Sequence, residues 1–541
     1  MSKQLMFDDQ GRQKILKGAK SLADLMKITL GPTGHNVLVG KSFGSPEIIK
    51  DGHIIAKEVE LADPFENMGA KMIAETASKT SDIIGDGTAT TAILTHAIYE
   101  SGLKYLTAGL NPTDIKKGID RATETVVESM KKTATPVKTE DDYLNIATIA
   151  ANHNEIIGQH IATAMNKVGK EGIITVEESQ GREITLEFAE GLSFDKGYIS
   201  PYFVNNTNNM TCVLEEPLIL LYDKKISNVH ELVPLLEQVA QTGGSLLIVA
   251  DEVENEALTV LVLNKLQGVL KVAAVKTPAF GDRKKAIMED IAIVTGGKFF
   301  SEEMGVKLEN IKLADLGRAK SAKIEKENTY IIQGAGDKSQ ITARLNQIRN
   351  QIKSTASEYD REKLEERLAK LSGGVALIKV GAITESEQKD KKNLVENAVH
   401  SAQAAREEGF LPGGGVAYLA TLPELDKLLK GTDDPAEIAG IKIIKEAIQI
   451  PLKQIVSNSG GDGSLILSEV KEKLLSTKRF TGYDASQGEM VDMIKAGIVD
   501  PAKLLRVALQ NAASSGGLML TAKTFLTDLK EQDKRIAESV V

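Results

Sequence analysis

The stretch Gly85-Asp86-Gly87-Thr88-Ala89-Thr90-Thr91 is the most informative part of the chain. It sets one carboxylate between two glycines, and an apolar run over residues 92–98 follows that predicts a helix. Glycines on both sides of Asp86 let the backbone approach a ligand closely. The first N–H groups of the helix would form an anion site, and the Asp86 carboxylate could hold a hard cation beside it. The pattern therefore predicts a site for phosphate and magnesium.

An ordinary capped helix is the alternative explanation of the same stretch. In that case Asp86 or Thr88 would accept a hydrogen bond from N–H groups of the first helical turn, as Asp and Thr often do. Short strings of Gly, Asp and Thr are common, so this stretch alone leaves both explanations open.

Two other glycine-rich regions resemble the first. One consists of Thr29-Leu30-Gly31-Pro32-Thr33-Gly34, followed soon by Lys50-Asp51-Gly52, and the other is Pro412-Gly413-Gly414-Gly415. Together with the first stretch these make three turns whose backbone could approach a ligand closely, and two of them have an aspartate nearby. This combination is typical of a nucleotide bound by several loops. The chain has no Walker A motif, because Gly296-Gly297-Lys298 continues with Phe299 where Ser or Thr is needed.

The composition indicates a soluble globular protein of several domains. At 541 residues, with 42% hydrophobic and 26% charged residues, the chain is too long for a single core. The net charge of −9 argues against general nucleic-acid binding. Cys212 is the only cysteine, so an internal disulfide cannot form and a reducing compartment is favoured. The polar start and the short apolar runs predict neither a signal peptide nor a membrane span, so we expect a cytoplasmic protein.

The two ends of the chain differ from its middle. The helical patterns at the ends cover residues 22–29, 68–79, 114–131 and 436–456. The strand-like runs in the middle cover residues 218–222, 245–249 and 269–275. They alternate with helical segments between Gly191 and Gly374, and a helical hairpin over residues 341–371 ends this block. Gly191 and Gly374 occupy positions that are typical of hinges. The two ends would therefore fold together and carry the middle as an insert.

Two segments of this insert, residues 229–241 and 257–263, are more apolar than one core-facing stripe of a helix requires. Such a helix is either fully buried or offers a second face to a partner. Full burial is the commoner case. The position of both segments in a hinged insert favours an exposed face.

The chain resembles a group I chaperonin of the GroEL type over essentially its whole length. The resemblance is carried by motifs in one order: Thr29-Leu30-Gly31-Pro32, Lys50-Asp51-Gly52, Gly85-Asp86-Gly87-Thr88, Val168-Gly169-Lys170-Glu171-Gly172, Gly197-Tyr198-Ile199-Ser200-Pro201-Tyr202-Phe203, Tyr359-Asp360-Arg361-Glu362-Lys363-Leu364 and Gly413-Gly414-Gly415. It implies a multidomain α+β protein of the chaperonin fold. It also implies a homo-oligomer of seven subunits per ring with two rings back to back, and neither nucleic acid nor membrane as a partner.

The same resemblance divides the chain into five segments. A helical equatorial ATPase domain would take residues 1–132 and 409–541. A small intermediate domain would take residues 133–190 and 376–408. An α/β apical domain over residues 191–375 would bind polypeptides.

Carried over residue by residue, the resemblance implies a site for ATP and Mg²⁺. Asp86 would be the magnesium ligand, and Lys50 and Asp51 would lie near the γ-phosphate. The other expected nucleotide contacts are Thr29, Leu30, Gly31, Pro32, Gly87, Thr88, Ala89, Thr90, Gly414, Asp484, Ala485 and Asp500. The expected surface for non-native polypeptides and a GroES-type co-chaperonin consists of Tyr198, Tyr202, Phe203, Val233, Leu236, Leu258, Val262 and Leu263.

Asn397 departs from the resemblance, which implies an aspartate that helps to activate the attacking water. An amide has the same shape but carries no charge and cannot accept the proton. Loss of a positioned base typically slows a reaction about 10²–10⁴-fold, so we expect slow hydrolysis with nucleotide binding retained. Asp51 could supply part of the role, and a tolerated substitution with near-normal turnover is the alternative.

Further departures indicate a diverged paralogue. Ala89 stands where the family usually has a threonine, and Asp484 stands where it usually has an asparagine beside the base. Ala150 replaces a usual serine at a hinge. Residues 453–465 differ from the family where contacts between rings are expected. Two hypotheses about function follow. The first is an ATP-dependent chaperonin with a lid, and the second is an ATP-binding holdase or specialised interaction protein with strongly slowed hydrolysis.

Overall fold

The computed structural model describes most of the chain. The described residues are 3–40, 46–50, 52–169, 173–207, 210–355, 357–372, 374–477 and 480–528. They form two compact units: unit 1 joins the chain up to residue 163 to the chain from residue 389 on, and unit 2 is the stretch 164–388. The finer division into five segments stays a prediction.

The α-helices of the described residues follow one another along the chain. They are α1 (Asp8–Lys27), α2 (Gly52–Glu58), α3 (Pro64–Ile84), α4 (Thr88–Thr107), α5 (Pro112–Thr133), α6 (Glu140–Ala150), α7 (Glu155–Val168), α8 (Val229–Thr242), α9 (Asn255–Leu266), α10 (Gly281–Thr295), α11 (Lys338–Ser354), α12 (Glu358–Ser372), α13 (Glu385–Glu408), α14 (Val416–Ala420), α15 (Leu422–Lys430), α16 (Pro435–Ala447), α17 (Ile450–Asn458), α18 (Gly463–Thr477) and α19 (Ala502–Thr521). Among them no helix is both long and apolar enough to cross a membrane.

The β-strands are mostly short in unit 1 and longer in unit 2. They are β1 (Lys3–Phe7), β2 (Val37–Val39), β3 (Glu47–Ile49), β4 (Ile173–Glu178), β5 (Thr185–Phe194), β6 (Cys212–Glu215), β7 (Leu218–Ile226), β8 (Ser245–Val253), β9 (Lys271–Lys276), β10 (Phe299–Phe300), β11 (Gly317–Ile324), β12 (Thr329–Gly334), β13 (Gly374–Val380), β14 (Phe410–Pro412), β15 (Thr481–Asp484), β16 (Glu489–Asp492), β17 (Val499–Pro501) and β18 (Thr524–Asp528).

Unit 1 is a helical unit with one large core. Leu22 of α1, Ile73 of α3, Ile98 of α4 and Ile119 of α5 are all completely buried in it. Three of the four predicted helical segments lie in α1, α3 and α5. The fourth is divided between α16 and α17, because Pro451 lies in the first turn of α17 and has no N–H to continue the earlier helix.

Unit 2 contains a mixed sheet in the order β4-β13-β5-β12-β11-β7-β8-β9. Strands β7, β8 and β9 pair in parallel, and α8 and α9 connect them. The run 246–250 of β8 is completely buried, as expected of a parallel strand covered on both faces. The three predicted strand runs and the predicted helical hairpin, which is α11 and α12, are confirmed. Arg344 of α11 and Arg367 of α12 both bind the buried Asp290 carboxylate of α10.

Candidate functional site

The turn that carries Asp86 joins α3 to α4 in unit 1. Gly85 and Gly87 flank it with φ values of 79° and 83°, which L residues with a side chain rarely adopt. A Cβ added to Gly85 would lie 2.7 Å from Cβ of His400, and one added to Gly87 would lie 3.3 Å from Cγ of Leu504. Both glycines are therefore required by backbone conformation, and Gly85 also by the close approach of α13.

The N-terminus of α4 follows directly on this turn. Its N-cap residue is Gly87, which has no side chain with which to cap the helix. Asp86 Oδ1 instead accepts a bond of 2.6 Å from the N–H of Gly87, which precedes the helix. Thr88 is therefore not the N-cap, because it is the first residue of the helix, and the role of Asp86 stays a prediction. A helix start of this kind, next to a carboxylate, suits an anion together with its cation.

The loop after α1, which the sequence assigns to the same site, is held in place by α17. Asn458 donates through Nδ2 to the carbonyl oxygens of Lys27 and Leu30, both at 2.8 Å. Gly31 has φ 87°, and a Cβ there would lie 3.1 Å from Ile455 Cγ2. The loop therefore has little freedom to change shape. Sequence reasoning missed Asn458, since a single asparagine near a helix end carries no signal of a partner more than 400 positions away.

A third segment reaches the same place at the start of α2. A Cβ on Gly52 would lie 2.6 Å from Oγ1 of Thr88 and 3.1 Å from Cε of Met26, so this segment contacts both the start of α4 and the end of α1. Lys50, two residues earlier, is half-buried, and burial lowers the pKa of its ammonium group. A cation withdrawn from water in this way gains from an anionic partner. Asp51 lies outside the described residues.

A fourth segment brings Asp500 close to Asp86. Strand β17 pairs with β14, so that Asp500 lies opposite Leu411. Burial and the Asp86 carboxylate together raise the pKa of Asp500 to about 7. The described residues contain no group of three or more His, Cys, Asp or Glu side chains with metal-binding geometry. Mg²⁺ commonly uses one or two carboxylates together with phosphate and water, so Asp86 beside an anion site fits that ion.

The turn at Gly413-Gly414-Gly415 lies against the hairpin of β15 and β16. Gly414 has φ 62°, and a Cβ there would lie 2.9 Å from Met493 Cε and 4.0 Å from the carbonyl oxygen of Tyr483. The next residues are Asp484 and the buried Ala485. Asp484 Oδ1 accepts hydrogen bonds from the backbone N–H of Ser486 at 2.8 Å and from its hydroxyl at 2.6 Å. The Asp484 carboxylate therefore stabilises its own turn, and its expected role beside the base stays a prediction.

Asn397 lies on α13, one helical turn before His400. Since His400 contacts the position of Gly85, the face of α13 that carries Asn397 approaches the Asp86 turn. Asn397 is half-buried. Its proposed effect on hydrolysis is not tested by this geometry and stays a prediction.

The expected polypeptide-binding residues of unit 2 divide into two groups. Tyr202 and Leu263 are exposed, at 63% and 49%, and Tyr198, Val233, Leu258 and Val262 are half-buried. Phe203 and Leu236 are instead core residues, at 0% and 6% exposure, which corrects the expectation that they lie on the surface. Their side chains belong to the core of unit 2, because the 3₁₀ turn Pro201–Phe203 and helix α8 each bury one face in it.

Helix α9 has the two-faced character that its sequence suggested, whereas α8 is mainly a core helix. Ala257 and Leu261 of α9 are buried, while Leu263 and Leu266 are 49% and 58% exposed. Val269, just after the helix, is 57% exposed. Sequence reasoning missed Leu266 and Val269, although Leu266 lies three residues after Leu263 and therefore on the same face of α9.

Comparison with known proteins identifies the family. The sequence matches the TCP-1/cpn60 chaperonin family over residues 22–527. A solved structure similar to this chain is the chaperonin gp146 from the bacteriophage EL 2 (Pseudomonas aeruginosa), crystallised in the presence of ATP-BeFx. It is 21% identical, with a TM-score of 0.71, and the match covers 97% of this chain and 99% of that one. The multidomain α+β chaperonin fold is confirmed, and the chain belongs to the TCP-1/cpn60 chaperonin family.

Proposed function

We propose that this protein is an ATP-dependent chaperonin that binds non-native polypeptides and assists their folding in a ring cavity closed by a GroES-type lid. The observation that carries the proposal is that separate segments of unit 1 approach the Asp86 turn and the start of α4: Gly52 lies against Thr88, and His400 of α13 lies against Gly85. The glycines at these positions leave backbone groups accessible to a ligand. The chain would act in the cytoplasm as a homo-oligomer of two seven-membered rings.

In this proposal ATP binds at the Asp86 turn with its phosphates on Thr29 to Pro32 and Gly87 to Thr90. The Lys50 ammonium supplies positive charge, and burial already favours its pairing with an anion. Asp86 would hold Mg²⁺, which when bound neutralises charge on the phosphates. Gly414, Ala485 and Asp500 would contact the ribose and base. That gp146 was crystallised in the presence of ATP-BeFx supports a nucleotide ligand for this fold.

Polypeptide binding is proposed for the apolar face formed by Tyr202, Leu263, Leu266 and Val269. Each of these side chains is at least 49% exposed. Contiguous apolar side chains on a surface commonly mark a site for another protein. A non-native chain would bind there through its own exposed apolar residues, and the lid would compete for the same face.

The second candidate function is an ATP-binding holdase, and Asn397 is the observation that favours it. The residue lies on the helix that contacts the Asp86 turn, which supports a role of Asn397 towards a bound nucleotide. Its amide can orient a water molecule by hydrogen bonds but cannot take up a proton. Capture of clients would then continue while the cycle of release is slow.

Both candidates are tested by mixing the purified protein with a chemically unfolded enzyme whose activity is measurable. Light scattering reports aggregation, and regained activity reports folding, each with and without ATP and a GroES-type lid. We expect suppressed aggregation in every case and regained activity with ATP and lid. Suppression without any effect of ATP would favour the holdase, and undiminished aggregation would contradict both candidates.

A further inference from the structure

Helices α3, α4 and α19 of unit 1 are joined by polar side chains in a buried interface. Thr80 of α3 and Thr91 of α4 are both 0% exposed. The Thr91 hydroxyl lies 3.0 Å from the Thr80 hydroxyl and 2.9 Å from the carbonyl oxygen of Gly87. Asn511 of α19 donates through Nδ2 to Thr80 Oγ1 at 2.9 Å. A chain of contacts therefore runs from α19 to the turn that carries Asp86.

One arrangement of protons satisfies every group in this chain of contacts. The amide of Asn511 donates to Thr80 Oγ1, and the Thr91 hydroxyl donates its one proton to the Gly87 carbonyl. The Thr80 hydroxyl then donates to Thr91 Oγ1 at 3.0 Å in preference to the carbonyl oxygen of Thr76 at 3.3 Å. Hydroxyl protons rotate to suit their partners, and hydrogen bonds in series strengthen one another. Because these groups are buried, each unpaired donor or acceptor would destabilise the fold.

The Gly87 carbonyl accepts two hydrogen bonds of 2.9 Å from Thr91, one from its backbone N–H and one from its hydroxyl, and this has a geometric consequence for the next residue. The carbonyl of Gly87 and the N–H of Thr88 belong to one planar trans peptide, so they point in opposite directions. With the carbonyl held along the helix axis by both bonds, the Thr88 N–H points out of the N-terminal end of α4. That N–H belongs to the first residue of α4, whose N-cap is Gly87.

We propose that Thr91, Thr80 and Asn511 are positioning residues of the nucleotide site. They fix the Gly87 peptide so that the Thr88 N–H is directed at a bound phosphate group. They also connect this peptide to α19, which begins directly after Asp500 and Pro501. The inference rests on the proposed function, since it assigns these residues to the same ATP site.

The structure offers a matched control in the same interface. The hydroxyls of Thr76 in α3 and Ser515 in α19 lie 2.8 Å apart, and Thr76 also donates to the carbonyl of Met72. This pair joins α3 to α19 as Thr80 and Asn511 do, but neither residue contacts Gly87. Its loss should affect stability without affecting the orientation of the Gly87 peptide.

The test compares equilibrium binding of Mg·ATP and Mg·ADP by calorimetry in variants of the full-length protein. Thr91→Val keeps the shape of the side chain and removes its hydroxyl, Thr91→Ser keeps the hydroxyl, and Thr76→Val is the control. We expect Thr91→Val to weaken both affinities roughly three- to tenfold, the usual effect of one buried hydrogen bond. Thr91→Ser should restore near-normal binding, and Thr76→Val should leave binding unchanged.

A double-mutant cycle adds a second readout. Because Thr80 acts through Thr91, Thr80→Val combined with Thr91→Val should weaken binding little more than Thr91→Val alone. Unchanged affinity in Thr91→Val, or an equal loss in Thr76→Val, would overturn the inference while wild-type binding upholds the nucleotide site. Absence of nucleotide binding by the wild-type protein would instead contradict the proposed function itself.

Discussion

The proposed nucleotide site of unit 1 and the proposed polypeptide-binding surface of unit 2 are built in different ways. The first depends on backbone turns at Gly31, Gly85, Gly87 and Gly414, each with a positive φ. The second depends on which apolar side chains of α9 and its neighbours face solvent. Glycines at such positions can be recognised in a sequence, whereas exposure is decided by packing. A substitution of a site glycine in unit 1 should therefore affect ligand binding by changing backbone geometry. A substitution of an apolar residue in unit 2 should affect stability or polypeptide binding according to how deeply its side chain is buried.

The largest expected effect concerns chemistry at the unit 1 site. Asn397→Asp restores a group that can accept a proton, and we expect single-turnover hydrolysis of ATP to rise about 10²–10⁴-fold with the dissociation constant of ATP little changed. Asn346→Asp, at an exposed position of α11 in unit 2, controls for the added charge. An unchanged rate in Asn397→Asp would show that Asp51 or another group already supplies the base.

The next prediction separates close approach from backbone strain. Gly85→Ala places a methyl group 2.7 Å from Cβ of His400 at φ 79°, whereas Gly109→Ala has φ 88° and no atom within 4 Å. Both should lower the free energy of unfolding by about 1–2 kcal/mol. Only Gly85→Ala should also weaken ATP binding, because the clash with His400 would shift the Asp86 turn. We expect a loss of roughly tenfold, which corresponds to about 1.4 kcal/mol of binding free energy. Equal ATP affinities in the two variants would contradict a site at this turn.

In unit 2, neighbouring leucines of α9 should behave in opposite ways. Leu261→Ser alters a side chain that is 0% exposed and should lower the free energy of unfolding by roughly 2–5 kcal/mol. Leu263→Ser alters one that is 49% exposed and should leave stability nearly unchanged while weakening capture of an unfolded client several-fold. Thermal unfolding and light scattering measure the two effects. Normal capture by Leu263→Ser would remove α9 from the proposed surface.

The smallest expected effect is a pH dependence of stability within unit 1. Arg506 of α19 binds the Glu408 carboxylate of α13, with 2.9 Å between Nε and Oε2, and holds the pKa of Glu408 below its usual 4.5. A lowered carboxylate pKa adds stability that is present above the unfolded-state pKa and is lost as pH falls through the folded-state value.

Glu408→Gln should therefore lower the unfolding temperature at pH 7 by an amount that corresponds to about 1 kcal/mol, and the difference should shrink below pH 4. Glu407→Gln is the control, because the Glu407 carboxylate that binds Lys503 is 53% exposed. An exposed ion pair contributes little to stability. A difference for Glu408→Gln that does not change with pH would contradict this role of the pair.

Sequence reasoning succeeded where a local pattern has one structural solution. The glycines around Asp86, the parallel strands β7 to β9 and the hairpin of α11 and α12 are of this kind. It failed for Phe203 and Leu236, because buried and exposed apolar residues stand side by side in these segments. The sequence pattern does not show which of them face the core. It also could not reveal Asn458, or the contact of Thr91 and Thr80 with Asn511, because these contacts join segments that are remote in the chain.

Binding of ATP with and without Mg²⁺, to the wild-type protein and to Asp86→Asn, tests the central claim most directly. Asp82→Asn, at an exposed position one turn earlier near the end of α3, is the matched control. We predict ATP binding that is strengthened by Mg²⁺ in the wild type and in Asp82→Asn, and a loss of that strengthening in Asp86→Asn. Absence of ATP binding, or an unchanged effect of Mg²⁺ in Asp86→Asn, would contradict a nucleotide–magnesium site at the start of α4.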